Sequence, residues 1–309
     1  MRAARASLTV PTVLAALWLA TLVPHAQQPP LAVPPSGRPH FRSAVRLTTV
    51  TATVTDGEGH LITGLPQERF EVFEDGQPQD ITQFTSDRVP VSLGILLDAS
   101  DSMYGRRMAD ARGAIDRFVA ERLGADDEYA LTVFNHQQQV LTGWTSDRAL
   151  AMSTLGPVRP WGATAIYDAI MAAIPMADDR HKPRAALLVV SDGADTASDA
   201  ALREVRRALR RTDLFVYAVG IDSKDRRPIN AAVNPTALAE ITDQSGGRTR
   251  IVHDSAEVTE ALTAIADELN SQYLIGYLSS RPPDSQFHSI RVRVKDGAYK
   301  VRARDGYVG

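Results

Sequence analysis

Three apolar runs constrain this chain more than any other feature. S-L-G-I-L-L stops at Asp98, A-L-L-V-V-S stops at Asp192, and L-F-V-Y-A-V-G begins at Leu214. Strands that read as continuous apolar runs are buried on both faces, the pattern of a parallel sheet covered by helices. The intervals supply those helices. Met108, Ala111, Ile115, Phe118 and Val119 follow helical spacing, as do Val258, Leu262, Ile265 and Leu269. Y-A-L-T-V-F and Q-V-L-T-G-W, joined by N-H-Q-Q, predict a hairpin instead of another crossover. Residues 90–270 are therefore expected to form a doubly wound, mostly parallel α/β sheet with an antiparallel edge.

The flanks have a different period. In L-T-T-V-T-A-T-V-T-D the apolar Val50, Ala52 and Val54 alternate with threonines, and Asp56-Gly57 and Asp75-Gly76 are turn signals. The block 43–89 is small for a core of its own. After 271 the chain returns to β character in Y-L-I-G-Y-L, S-I-R-V-R-V and Y-K-V-R-A-R. Ile290, Val292 and Val294 alternate there with Arg291, Arg293 and Lys295. The expectation is that 43–89 and 271–309 pair into one small β-sandwich, interrupted by the α/β domain.

Arg2 and Arg5 precede an apolar run from Leu8 to Val23, followed by P-H-A. Residues 1–26 read as a secretory signal peptide, and the proline-rich 27–42 as a linker. The protein is expected to be exported, to the periplasm, cell envelope or extracellular space. Membrane contact is expected only through this leader, if it stays uncleaved as an anchor. The chain has no cysteine, which excludes disulfides, a thiolate nucleophile and a cysteine zinc site. A net charge of −3 over 309 residues points away from nucleic acid. The arginines between Arg203 and Arg211 have the spacing of the wet face of a helix.

In open α/β sheets ligands bind beyond the C-terminal ends of the strands. Three polar clusters fall at such places: D-A-S-D-S-M at 98–103, W-G-A-T-A-I-Y-D-A-I at 161–170, and S-D-G-A-D-T from Ser191. Asp98, Ser100, Ser102, Thr164 and Asp192 would converge there, all oxygen donors. Such a set suits a hard divalent cation, Mg²⁺ first, then Ca²⁺ or Mn²⁺. Taken singly, Asp98, Ser100 and Ser102 also read as helix caps. Asp195, Thr196 and Asp199 are expected to cap the helix that follows them, and Asp168 to sit one turn inside its own. None of the seven histidines has metal-ligand spacing, so all are expected on the surface or in loops.

D-A-S-D-S-M, with Thr164 and Asp192 downstream in order, resembles the metal-ion-dependent adhesion site of von Willebrand factor type A domains. The resemblance covers Pro90 to Asn270 and implies a Rossmann-like fold. G-L-P-Q-E-R-F-E-V-F-E-D-G before it, and Y-L-I-G-Y-L with A-R-D-G-Y after it, resemble a group of exported bacterial relatives noted in acidobacteria. It implies that Ser100, Ser102 and Thr164 ligate the metal through their hydroxyls, with Asp98 and Asp192 acting directly or through water. It also implies that a Glu or Asp of a protein partner takes the vacant position. Two positions depart from the family pattern. Asp101 stands where glycine is usual and is expected to modulate the site, and Gly162-Ala163 stands where two glycines are frequent.

The leading expectation is thus a non-enzymatic binding module for an acidic residue of a protein partner. One alternative is a scaffold domain of the envelope, stabilised by its metal without ligand binding. A Mg²⁺-dependent phosphohydrolase is a further alternative. The haloacid-dehalogenase pattern, however, needs an acid two residues after Asp98, where Ser100 stands, and neither G-x-x-x-x-G-K-[ST] nor G-x-S-x-G occurs.

Overall fold

A computed structural model describes residues 46–222, 233–281 and 284–309. The stretches expected to be a leader (1–26) and a linker (27–42) lie outside the described residues. The first strand, β1 (Arg46–Thr55), buries Val50, Ala52 and Val54. A tight turn at Asp75-Gly76 joins β2 (Phe70–Glu74) to β3 (Gln77–Gln79). Both turn residues have positive φ, 48° and 76°, as a two-residue hairpin with right-handed twist requires. After β4 (Ile81–Thr85) the chain enters β5 (Val91–Asp98), whose eight residues are all buried.

From there strands and helices alternate. Helix α1 (Arg106–Arg117) is followed by the hairpin of β6 (Glu128–Phe134) and β7 (Gln138–Thr145). Next come α2 (Leu150–Leu155), α3 (Ile166–Asp178) and β8 (Arg184–Ser191). Helix α4 (Leu202–Leu209), β9 (Phe215–Ile221), α5 (Pro235–Ser245), β10 (Thr249–Val252) and α6 (Ser255–Asn270) complete the series. These strands form one six-stranded sheet of order β10-β9-β8-β5-β6-β7, parallel except for β7 at its edge.

Because β5 is buried on both faces, alternate residues feed two cores. Leu93, Ile95 and Leu97 pack with α1, α2 and α6 on one side, while Leu96 packs with α3, α4 and α5 on the other. The chain runs outward from β5 through β6 and β7, then restarts on its other side at β8. The switch in strand order therefore falls between β5 and β8, where open α/β sheets leave a crevice beyond the strand ends.

The last strands are β11 (Tyr273–Ser279), β12 (Phe287–Val294), β13 (Lys300–Ala303) and β14 (Gly306–Val308). They interleave with the N-terminal strands into two four-stranded sheets, β13-β1-β11-β4 and β14-β12-β2-β3. Val50, Val54, Phe70, Tyr273, Ile275 and Ile290 share the core between them, and Phe70 stacks on Tyr273 at 4.8 Å. The α/β domain is thus inserted in a β-sandwich built from both flanks.

The two parts are joined by a buried polar network. Glu268 of α6 is wholly buried, accepts bonds from Tyr217 (2.8 Å) and Arg248 (3.0 Å), and pairs by charge with Arg302 of β13. Gln272 donates to Tyr217 and to Thr53 of β1 at 3.1 and 3.3 Å, and accepts from Arg184. Burial, with the Glu268 carboxylate beside it, pushes the Tyr217 hydroxyl well above the usual tyrosine range, so it remains a donor.

Candidate metal centre

Asp98 is the last residue of β5, and the parallel register that sets Leu97 beside Val190 brings it alongside Ser191, the last residue of β8. The Ser191 hydroxyl donates to Asp98 Oδ2, and the Ser100 amide donates to Asp98 Oδ1 at 2.8 Å. That second bond folds the chain back immediately after the strand, so that Ser100 Oγ and Ser102 Oγ lie 3.1 Å apart. Ser102 Oγ in turn donates to Asp192 Oδ1 at 2.5 Å. Three of the expected donors form one hydrogen-bonded chain, and the fourth, Asp98, anchors its start.

Thr164 arrives from the loop before α3. Its carbonyl accepts from Thr196 and Ala197 at 2.8 and 3.0 Å, and its amide donates to Thr196 Oγ1 at 3.1 Å. A Cβ placed on Gly193 would stand 3.6 Å from Thr164 Oγ1 and 3.8 Å from Ser102 Oγ. Both hydroxyls therefore border the same small space, which a side chain at 193 would occupy. Asp98 and Asp192 are fully buried, and Ser100, Thr164 and Ser102 are nearly so, Ser102 the most exposed of the five at 9%.

Burial first of all, with Asp192 nearby, pushes the Asp98 carboxyl up to about 7 against the opposing bonds from Ser191 and Ser100. Two carboxylates held this close out of water call for positive charge. The donor set, hard oxygens from two acids and three hydroxyls around a space left by a glycine, fits a hard divalent cation such as Mg²⁺, Ca²⁺ or Mn²⁺.

Several expectations change at this point. Asp98, Ser100 and Ser102 do not cap α1, which begins after Gly105 without any side-chain cap. Asp195, Thr196 and Asp199 do not cap α4: the residue at its N-cap is Ala201, whose amide is met by the Glu204 side chain. Asp195 instead accepts the Tyr167 amide at 3.0 Å at the start of α3, and Asp168 accepts the amides of Asp199 and Ala200, both at 2.9 Å. Together these bonds tie the loop after β8 to the loop carrying Thr164. Although Asp101 stands where glycine is usual, its φ is not positive: it opens a short 3-10 turn, its side chain is exposed, and its amide donates to the Gly162 carbonyl at 2.9 Å. Positive φ is taken instead by its glycine neighbours, Gly162 (79°) and Gly105 (80°). His288 is buried in the sandwich, against the expectation for histidines.

Three neighbours were not expected. Ser191 had a signal, since it ends an apolar strand beside Asp192. Arg107 is 5% exposed and bonds to the site. Its signal was position, because it precedes Ala111 by one helical turn on the buried face. Gly193, between Asp192 and Ala194, had no signal of its own. At the rim, Tyr104 and Trp161 are 78% and 54% exposed, and Trp161 meets His136 edge-on at 4.6 Å. A groove of about 380 Å³ lined by Asn135, Gln137, Arg159 and Trp161 runs beside them.

Residues 93–194 match the family model of the von Willebrand factor type A domain. Among solved structures, a von Willebrand factor type A protein from Catenulispora acidiphila is similar with a TM-score of 0.51 and 16% identity, covering 85% of this chain and 75% of that one. Proximal thread matrix protein 1 from the mussel byssus has a TM-score of 0.51 at 14% identity, over 64% of this chain and 50% of its own. The conserved hypothetical protein BatB from Bacteroides thetaiotaomicron is 24% identical over 58% of this chain and 97% of its own, with a TM-score of 0.49. No curated protein matches.

Proposed function

We propose that the von Willebrand factor type A domain carried by this chain is an exported, non-catalytic binding module that recognises an acidic residue of a protein partner. The single observation behind this reading is the buried, oxygen-only chain Ser100–Ser102–Asp192, with Asp98 at its start and Thr164 across the Gly193 space. These five residues would hold the cation. A bound Mg²⁺, Ca²⁺ or Mn²⁺ supplies residual positive charge and an open position for a Glu or Asp carboxylate. Asp98 and Asp192 bring the charge that retains it, while the three neutral hydroxyls leave it electrophilic. Tyr104 and Trp161, exposed on the rim, offer apolar area around the point of contact, the kind of residue that anchors interfaces.

Export is supported by the sequence pattern at 1–26, where Arg2 and Arg5 precede the apolar run from Leu8 to Val23. Among the described residues no helix is long and apolar enough to cross a membrane. The deciding experiment is pull-down from the envelope fraction of the source organism, in Mg²⁺ and in EDTA, with wild type and Asp98→Ala. Capture in Mg²⁺ alone, lost in the variant while its fold persists by circular dichroism, is the expected result. Capture that survives both EDTA and the substitution would overturn the reading.

A further inference from the structure

A cation already sits in the metal centre, and it belongs to the protein. Arg107, the second residue of α1, is 5% exposed, and arginine is almost never buried without a partner. Its Nη1 donates to the Ser102 carbonyl at 2.7 Å and stands 3.3 Å from Asp192 Oδ2. The other Asp192 oxygen takes the Ser102 hydroxyl at 2.5 Å. Asp192 is therefore bracketed between a neutral donor from one expected ligand and a full positive charge. Asp98 is held by neutral donors, the Ser191 hydroxyl and the Ser100 amide. The charge at the centre is thus lopsided: one of its two buried acids faces a guanidinium.

We propose that Arg107 is a resident counter-cation of the metal centre. It is a positioning residue that holds Asp192 and the Ser102 loop in place when no divalent ion is bound, and it competes with the ion for Asp192. The inference rests on the reading of the five residues as a cation site. The physics runs in two opposite directions. Without an ion, the guanidinium offsets the negative charge of the buried Asp192 carboxylate, so the loops stay assembled. With an ion, a second positive charge a few ångströms away repels it and shares its ligand, so the affinity is lowered. A site of this kind is pre-formed yet releases its ion readily.

The test uses the purified chain with Mn²⁺ as the probe. Arg107→Met keeps the aliphatic stem without charge, and Arg107→Gln keeps a neutral donor for the Ser102 carbonyl. Calorimetric titration should show Mn²⁺ affinity rising in both variants, on the order of tenfold, because a like charge has been removed beside the ion. The melting temperature in EDTA should fall, and saturating Mn²⁺ should restore most of the loss. Arg107→Lys should stay close to wild type in both readouts. Unchanged or weaker Mn²⁺ affinity in Arg107→Gln would overturn the inference, as would an equal loss of melting temperature in EDTA and in Mn²⁺. If Arg107→Met does not fold, Arg107→Gln decides. A wild-type chain that binds no Mn²⁺ would instead remove the cation site itself, a separate outcome.

Discussion

Glu268 Oε1 accepts the Tyr217 hydroxyl at 2.8 Å, deep in the joint where the inserted domain meets the sandwich. The same carboxylate faces Arg248 and Arg302, so its removal leaves two guanidinium groups without their acid. Glu268→Ala should cost about 3–5 kcal/mol, the range for breaking one side of a buried ion pair. Glu268→Gln, which keeps the shape and one acceptor, should cost less. Urea unfolding of the two variants checks both, and a loss under about 1 kcal/mol in Glu268→Ala, typical of a surface pair, would contradict the account.

His288 links the sandwich to pH. Its Nδ1 lies 2.9 Å from Asp75 Oδ2 and its Nε2 lies 3.2 Å from Asp284 Oδ1, with Arg281 also on Asp75 at 3.2 Å. The bond to Asp75 raises the imidazole above its usual value, and its bond to the imidazole holds Asp75 below the carboxylate range. The histidine's contribution is therefore complete below its unfolded value of about 6.5 and is lost as pH rises through the raised folded value. The aspartate's contribution is present above about 3.9 and is lost as pH falls through its depressed folded value. The melting-temperature gap between wild type and His288→Gln should be widest near pH 5–6 and narrow towards pH 9. A gap independent of pH would show that the pair carries no charge.

Asp101 is exposed and its backbone does not need glycine's conformational range, so Asp101→Gly should act through charge alone. We expect weaker cation binding, by a few-fold at low ionic strength, with the difference shrinking as salt screens it. Calorimetry at two salt concentrations tests this, and an affinity that holds or rises in the variant rejects it.

Gly162→Ala should damage the rim. The position has φ 79°, and a Cβ there would lie 2.5 Å from His136 Nδ1. A loss of about 1–2 kcal/mol is expected from the backbone alone. Since the Gly162 carbonyl also takes the Asp101 amide, Mn²⁺ affinity should fall with it. Full affinity in a destabilised Gly162→Ala protein would separate the rim from the metal centre.

The central sheet was legible because its strands are buried on both faces and carry no polar alternation, so Ser92–Leu97 and Ala186–Val190 announce themselves. The meeting of Asp98, Ser100, Ser102 and Asp192 was legible because strand ends in such sheets face one crevice and Asp98, Ser100 and Ser102 recur at every second residue. What escaped depends on distant partners. Asp195 and Asp168 each satisfy backbone amides some thirty residues away, and local capping rules cannot see them. Arg107 escaped because a charge on a helix reads as solvated until Asp192 is placed beside it. His288 escaped because its partner, Asp75, lies on the far flank of the sequence.

The insertion also dictates an order of assembly. Thr53 and Glu268, which touch across the joint, are 215 residues apart in the chain, whereas the central sheet closes within one continuous segment. During synthesis β1–β4 must wait, with apolar faces uncovered, until β11–β14 emerge, so contacts of such high sequence separation form last and slowly. A chain cut short after α6 would keep the half that carries Asp98, Thr164 and Asp192 and present an unmatched half-sandwich, prone to pairing with another copy.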